Sequence, residues 1–129
     1  MSFSNNMDKL DTMFLLRREF MEKLRNKIPD SYPNLPLDLT SKADQQFCRD
    51  MMLRGVEEMF EALQELKNWK PHRKTEVEDF DKDKFLEEIV DAFNYFFSII
   101  IMTDYSANEL YDAYVKKDKV IHERLDDGY

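Results

Sequence analysis

The sequence predicts an all-α protein of four main helices, and three observations carry that prediction. Turn residues are scarce, with 2 glycines and 4 prolines in 129 residues, whereas all-β folds need many turn residues. Apolar side chains recur every three or four positions over long stretches, which is the period of one helix face and not the alternation of a strand. Ser, Thr, Asn and Asp stand where those stretches begin, as helix N-caps require.

The first helix is expected from about Met7, capped by Asn5 or Asn6, with Leu10, Met13, Phe14, Leu16, Phe20, Met21 and Leu24 as its apolar positions. It should end near Lys27, because Pro29 disfavours helical geometry in the residue before it. Pro29, Pro33 and Pro36 then make an extended connector without a strand pattern. Thr40 or Ser41 opens the second helix, expected from Lys42 to about Asn68, with Asp44 in its first turn. Gly55 interrupts it at a cost of about 1 kcal/mol against Ala, which close packing on a neighbouring helix would explain. A polar loop follows, from Pro71 to Asp81. Asp81 or Asp83 caps the third helix, about Lys84 to Met102, whose apolar residues cover nearly its whole circumference. Such a helix is central or lies in an oligomer interface. Ser106-Ala107-Asn108-Glu109 has the form of a capping box and opens the fourth helix. No internal repeat, low-complexity tract or domain boundary is visible, so residues 1–129 read as one domain.

Bulk composition narrows the function. The net charge of −8 opposes nucleic-acid binding, which needs Lys and Arg against phosphate, but suits a protein that collects cations. Cys48 is the only cysteine, which fits a reducing compartment. The apolar run Ala92–Met102 is too short and too interrupted for a bilayer, which needs about 20 apolar residues. Met1–Asp11 has no basic-then-apolar signal pattern. The expectation is a cytoplasmic protein without membrane or nucleic-acid partners.

The candidate chemistry lies in acids at helical spacing. Glu58 and Glu61 project together from the second helix, and Glu88 and Asp91 from the third. Side by side, the two helices would bring four carboxylates together, and these repel unless a cation lies between them. Salt bridging is the ordinary alternative for any single acid. Yet Lys84 is the nearest base before Glu88, and no Lys or Arg occurs between Phe85 and Tyr114. Oxygen donors without nearby His or Cys point to Mg²⁺ or Mn²⁺. A di-iron bundle would need Glu-x-x-His, and neither His72 nor His122 stands three residues after a Glu.

Basic residues cluster in two places: Lys67, Lys70, Arg73 and Lys74 around Trp69, and Lys116, Lys117, Lys119 and Arg124 near the C-terminus. Most such charges belong to a solvated face. Beside metal-binding acids, however, they suit a nucleoside triphosphate, with Trp69 free to stack on a base or to serve as core. No GxxxxGKS/T or GxGxxG loop is present.

Glu57-Glu58-x-x-Glu61 followed by Glu88-x-x-Asp91 resembles the EExxE and ExxD elements of the all-α nucleoside triphosphate pyrophosphatases. That superfamily holds MazG-like proteins, dimeric dUTPases and phage dCTP/dUTP pyrophosphatases. Leu66-Lys67-Asn68-Trp69-Lys70 is similar to the Lys/Trp-rich segment of dimeric dUTPases, and Glu87–Tyr95 to their EExVDxxHF stretch. Lys117–Tyr129 resembles their closing KNxxNxxRxxxGY, and Leu10–Met21 fits their opening helix more loosely. The closing motif and small size are reminiscent of phage versions.

The resemblance implies a helical bundle completed by oligomerisation, as a homodimer or larger. It implies hydrolysis between the α- and β-phosphates to a nucleoside monophosphate and pyrophosphate. Carried over, Glu58, Glu61, Glu88 and Asp91 would hold Mg²⁺ or Mn²⁺, with Glu58 and Glu61 catalytic and Glu58 preferred for orienting the attacking water. Lys117, Arg124 and Tyr129, with Lys67 and Lys70, would hold phosphate. Trp69, Asn94 and Arg17 would face the base. Arg17 and Met21 stand where the family carries Gln and Asn or Asp, and Asn94 stands at its His. The base is therefore open between uracil and cytosine, with dUTP the first substrate to try. The alternatives are a broad MazG-like pyrophosphohydrolase and a non-catalytic helical interaction protein.

Overall fold

The computed structural model describes residues 7–73 and 79–128, and within these the chain forms four α-helices, one short 3-10 turn and no strand. The helices are α1 (Lys9–Lys27), α2 (Lys42–Leu63), α3 (Lys82–Met102) and α4 (Ala107–Asp126). The all-helical class and the number of main helices agree with the periodicity. The first cap differs from expectation: Asp8, not Asn5 or Asn6, accepts the Asp11 N–H at 2.8 Å, and the two asparagines lie outside the described residues. Ser41 accepts the Asp44 N–H, and Asp44 in turn accepts the Asp38 N–H at 2.8 Å. The connector holds a 3-10 turn at Pro29–Ser31.

The chain divides into two compact units, residues 1–37 with 100–129 and residues 38–99. In the first unit α1 packs on α4, and Phe14, Met21, Tyr32, Leu37, Met102 and Ala107 are buried. Burying side chains as large as Phe14, Met21, Leu37 and Met102 stabilises by about 1.5–3 kcal/mol each. The Leu37 N–H donates to the Met102 carbonyl at 2.8 Å, and Arg25 donates to the Pro33 carbonyl at 2.8 Å. These bonds tie down a Pro-rich segment that has few backbone donors of its own. The α3 terminus closes with two bonds, Tyr105 N–H to Ile100 carbonyl at 3.1 Å and Asp104 N–H to Ile101 carbonyl at 3.0 Å. That pattern needs a left-handed residue, and Asp104 supplies it at φ 70. The α4 capping box is complete, with Ser106 accepting from Glu109 N–H and Glu109 accepting from Ser106 N–H, both at 3.1 Å.

The second unit is built on α2 and the greater part of α3. They run antiparallel, since Glu65 meets Lys84 near one end and Gly55 meets Phe96 near the other. A Cβ on Gly55 would stand 2.7 Å from the Phe96 ring. The glycine is therefore the close-packing point that its place inside a helix suggested. Helix α2 ends at Leu63, five residues short of the expected Asn68. Successive i→i−3 bonds, Glu65 N–H to Ala62 carbonyl and Leu66 N–H to Leu63 carbonyl, tighten the chain out of the α-helix there. Helix α3 begins two residues before the expected Lys84, with Asp81 accepting the Lys84 N–H at 3.0 Å. Its circumference is not uniformly covered: Ala92, Ser98 and Ile99 are buried, while Leu86, Val90 and Phe93 are exposed.

Candidate metal centre

Helical spacing lines up the polar residues of the second unit in two stripes. On α2, Glu58 and Glu61 share a face, and Glu65 lies one turn beyond on the same line; on α3, Lys84, Glu88 and Asp91 do likewise. The antiparallel pairing sets these stripes against each other. Lys84 Nζ stands 3.4 Å from Glu65 Oε1, so the base nearest to Glu88 in sequence is engaged elsewhere. One turn further along α3, Glu58, Glu88 and Asp91 each present an oxygen within 4.8 Å of the others. Glu58 and Glu88 are half-buried and Asp91 is exposed. Among the described residues, none of these three carboxylates has an ion-pair partner.

Three negative groups this close are a poor resting arrangement for carboxylates alone. Partial burial pushes the Glu58 carboxyl above the ordinary glutamate range, and the charges of Asp91, Glu61, Glu88 and Glu57 push it in the same direction. Glu58 therefore holds its proton more tightly in the folded chain than in the unfolded one. Its protonation contributes stability that is fully present below the ordinary value of 4.5 and is lost as pH rises through the raised value. In metal-free buffer, the stability difference between wild type and Glu58→Gln should change with that sign across this window. Urea unfolding at pH 4, 5.5 and 7 measures it. Wild type should fall relative to the variant as pH rises, and parallel curves would remove the electrostatic account of the cluster.

The donor set fits a hard divalent cation. Carboxylate oxygens from two helices converge without thiol or imidazole, which is the chemistry of Mg²⁺ and Mn²⁺ sites. Glu58, Glu88 and Asp91 are the residues that would hold it. Glu61 is exposed and lies outside the convergent set, though its charge reaches Glu58. Glu57 and Glu87 are exposed, as expected of solvated acids.

The remaining candidates fall in both units. In the second, Lys67 and Trp69 are exposed on the segment after α2, with the Lys70 ammonium 5.4 Å from the Trp69 ring centroid. Trp69 is 65% exposed, so core packing does not explain it. Asn94 is half-buried on α3, and its backbone carbonyl accepts from the Ser98 hydroxyl at 2.8 Å. In the first unit, Arg17 lies over the Phe20 ring at 4.5 Å from its centroid. Lys117 and Arg124 are exposed on α4, seven residues apart and so on one face. Tyr129 and Lys74 lie outside the described residues.

Apolar surface accompanies the acids. Val56, Met59, Phe60, Leu63 and Leu66 with Phe85 and Ile89 line a groove of about 230 Å³. No described helix is long and apolar enough to cross a membrane. No family model, curated protein or solved structure matches this chain.

Proposed function

We propose that the protein is a Mg²⁺-dependent deoxynucleoside triphosphate pyrophosphatase, with dUTP as its first substrate and dCTP as its second. The observation that carries this reading is the convergence of Glu58, Glu88 and Asp91 from two antiparallel helices, with oxygens within 4.8 Å and no counter-ion among the described residues. Water adds to the α-phosphorus, the bond from that phosphorus to the α–β bridging oxygen breaks, and the products are a deoxynucleoside monophosphate and pyrophosphate. Bound Mg²⁺ would offset phosphate charge and raise the hydroxide fraction of coordinated water. The chain's own residues do the rest. Glu58 orients the water and accepts its proton. Glu61 supports it from the next turn. Within the same unit, Lys67 and Lys70 supply cationic contacts to phosphate, and Trp69 and Asn94 face the base.

A homodimer or larger assembly belongs to this reading. Val56, Phe60, Leu63, Val90 and Phe93 are all exposed apolar residues on one helix pair, a larger patch than isolated surface residues require. A cytoplasmic, reducing location goes with the buried free thiol of Cys48. The same apolar groove favours a second reading, a non-catalytic helical interaction protein.

Pyrophosphate release from dUTP, dCTP, dTTP and the purine deoxynucleoside triphosphates, with and without Mg²⁺, tests the proposal. Metal-dependent turnover of dUTP and dCTP supports it. Equal turnover of every nucleotide points to the broader pyrophosphohydrolase. Absence of turnover with any nucleotide, together with thermal stability indifferent to Mg²⁺, leaves the interaction protein.

A further inference from the structure

The N-terminal half of α2 carries an uncovered face whose charge is opposite to that of the chain. Lys42, Gln45, Arg49 and Met52 recur at intervals of three and four, so they share one side of the helix, and all four are exposed. With Leu39 from the segment before α2, they line a groove of about 560 Å³. Every residue that lines it lies between 39 and 52, so the groove belongs to the second unit alone. The Gln45 amide donates to the Leu39 carbonyl at 2.6 Å, which ties the Leu39 segment to the helix.

No acid lines this groove, in a chain where 27 Asp and Glu outnumber 19 Lys and Arg. Asp44 and Asp50 stand on the same helix without lining it, and Asp44 accepts the Asp38 N–H at 2.8 Å. Among the described residues, neither Lys42 nor Arg49 forms an ion pair. The groove therefore presents two cations seven residues apart, about 10 Å along the helix axis. An exposed apolar side chain lies outside each, Leu39 before Lys42 and Met52 after Arg49.

This pattern chooses among occupants. A second copy laid face to face would set the same acid-free side against itself, so its cations would meet cations or apolar side chains. Nucleic acid offers phosphate, but the apolar ends of the groove and the net charge of −8 oppose a polyanion. A partner helix with two carboxylates one heptad apart fits, because seven residues advance both helices by the same distance. Apolar residues one turn outside each carboxylate would cover Leu39 and Met52.

We propose that this groove docks an acidic amphipathic helix of another protein, with carboxylates one heptad apart on Lys42 and Arg49 and apolar side chains on Leu39 and Met52. The mode is a helix laid in a groove, read by anchors at helical spacing. It uses no residue of the metal centre and is independent of the pyrophosphatase reading.

Fluorescence anisotropy of a labelled helical peptide of about 15 residues, titrated with the full chain, tests the assignment. The peptide carries two glutamates one heptad apart, with a leucine one turn outside each. A control carries lysines in place of the glutamates. Wild type should bind the acidic peptide about tenfold tighter than the control, because the two charge contacts attract in one and repel in the other. Arg49→Glu should weaken binding of the acidic peptide about tenfold. The Lys42→Glu, Arg49→Glu double variant should prefer the lysine control, a reversal that misfolding cannot produce. Nucleotide turnover and the response of stability to Mg²⁺ should stay at wild-type values in these variants, so docking and the metal centre stand or fall separately. Equal affinity of wild type for the two peptides overturns the proposal. So does single-stranded oligothymidylate binding as tightly as the acidic peptide, which would assign the cations to phosphate. Loss of self-association in Arg49→Glu also overturns it, by assigning the groove to a second copy.

Discussion

Asp91→Asn is expected to move stability and activity in opposite directions. The residue is exposed on α3, with an oxygen within 4.8 Å of oxygens from Glu58 and Glu88 and no cation paired to it among the described residues. Removing its charge from metal-free protein relieves repulsion, so the melting temperature should rise by roughly 1–4 °C, the scale of a solvent-screened charge contact in a chain of this size. On the proposed reading, the same substitution also removes a metal ligand. The stabilisation of wild type by Mg²⁺ or Mn²⁺, about 2.7 kcal/mol at a ligand concentration of 100 Kd, should then be lost or sharply reduced. Nucleotide turnover should fall about 100-fold or more, because a metal ion contributes several kcal/mol to phosphoryl-transfer transition states. Glu58→Gln should behave alike, with an added loss of the base. Thermal unfolding with and without metal, followed by pyrophosphate release, reads all these effects. A structural salt-bridge role predicts the reverse sign in metal-free protein, so a lowered melting temperature there would refute the cluster as an unpartnered site.

The second large effect is expected at Gly55. Its missing Cβ leaves room for the Phe96 ring, which would otherwise stand 2.7 Å away. Gly55→Leu should cost about 3 kcal/mol through overpacking, roughly 10 °C in melting temperature. Gly55→Ala should cost less, because the helix propensity gained, about 1 kcal/mol, offsets part of the clash. Function should suffer along with stability. Gly55 lies one turn before Glu58, and Phe96 five residues after Asp91, so helices forced apart there also separate the carboxylates. Trimming the ring in a Gly55→Ala, Phe96→Leu double variant should recover both metal affinity and melting temperature relative to Gly55→Ala. Wild-type stability in Gly55→Leu would mean that the close approach of α2 and α3 is not needed.

Much of the architecture was legible because its causes are local. Ser41, Asp81 and Ser106 cap the helices they were expected to cap, since a side-chain oxygen needs only the N–H groups of the next turn. The end of α2 was not legible. Residues 64–68 have ordinary helix-forming composition, yet i→i−3 bonds close the helix at Leu63, and Glu65 is engaged with Lys84 across the unit. Periodicity also made α3 look apolar all round, but it does not say which side a neighbour covers. The acids divide in the same way. Spacing placed Glu58 with Glu61 and Glu88 with Asp91, while the packed helices bring Glu58, Glu88 and Asp91 into one set and leave Glu61 at its margin.

The sequence by itself determined the helical class, the starts of α2 and α4 and the stripes on which the acids lie, because dihedral preferences, caps and the 3.6-residue period act within a few residues. Only the tertiary structure decided which stripes face each other, in what direction and at what distance. The Gly55–Phe96 contact and the Lys84–Glu65 pair settle that register. It engages Lys84, the nearest base before Glu88 in sequence, with Glu65 and leaves three carboxylates converging on a point with no ion-pair partner among the described residues. Contacts between residues tens of positions apart depend on how two surfaces fit, and no local rule of the chain carries that information.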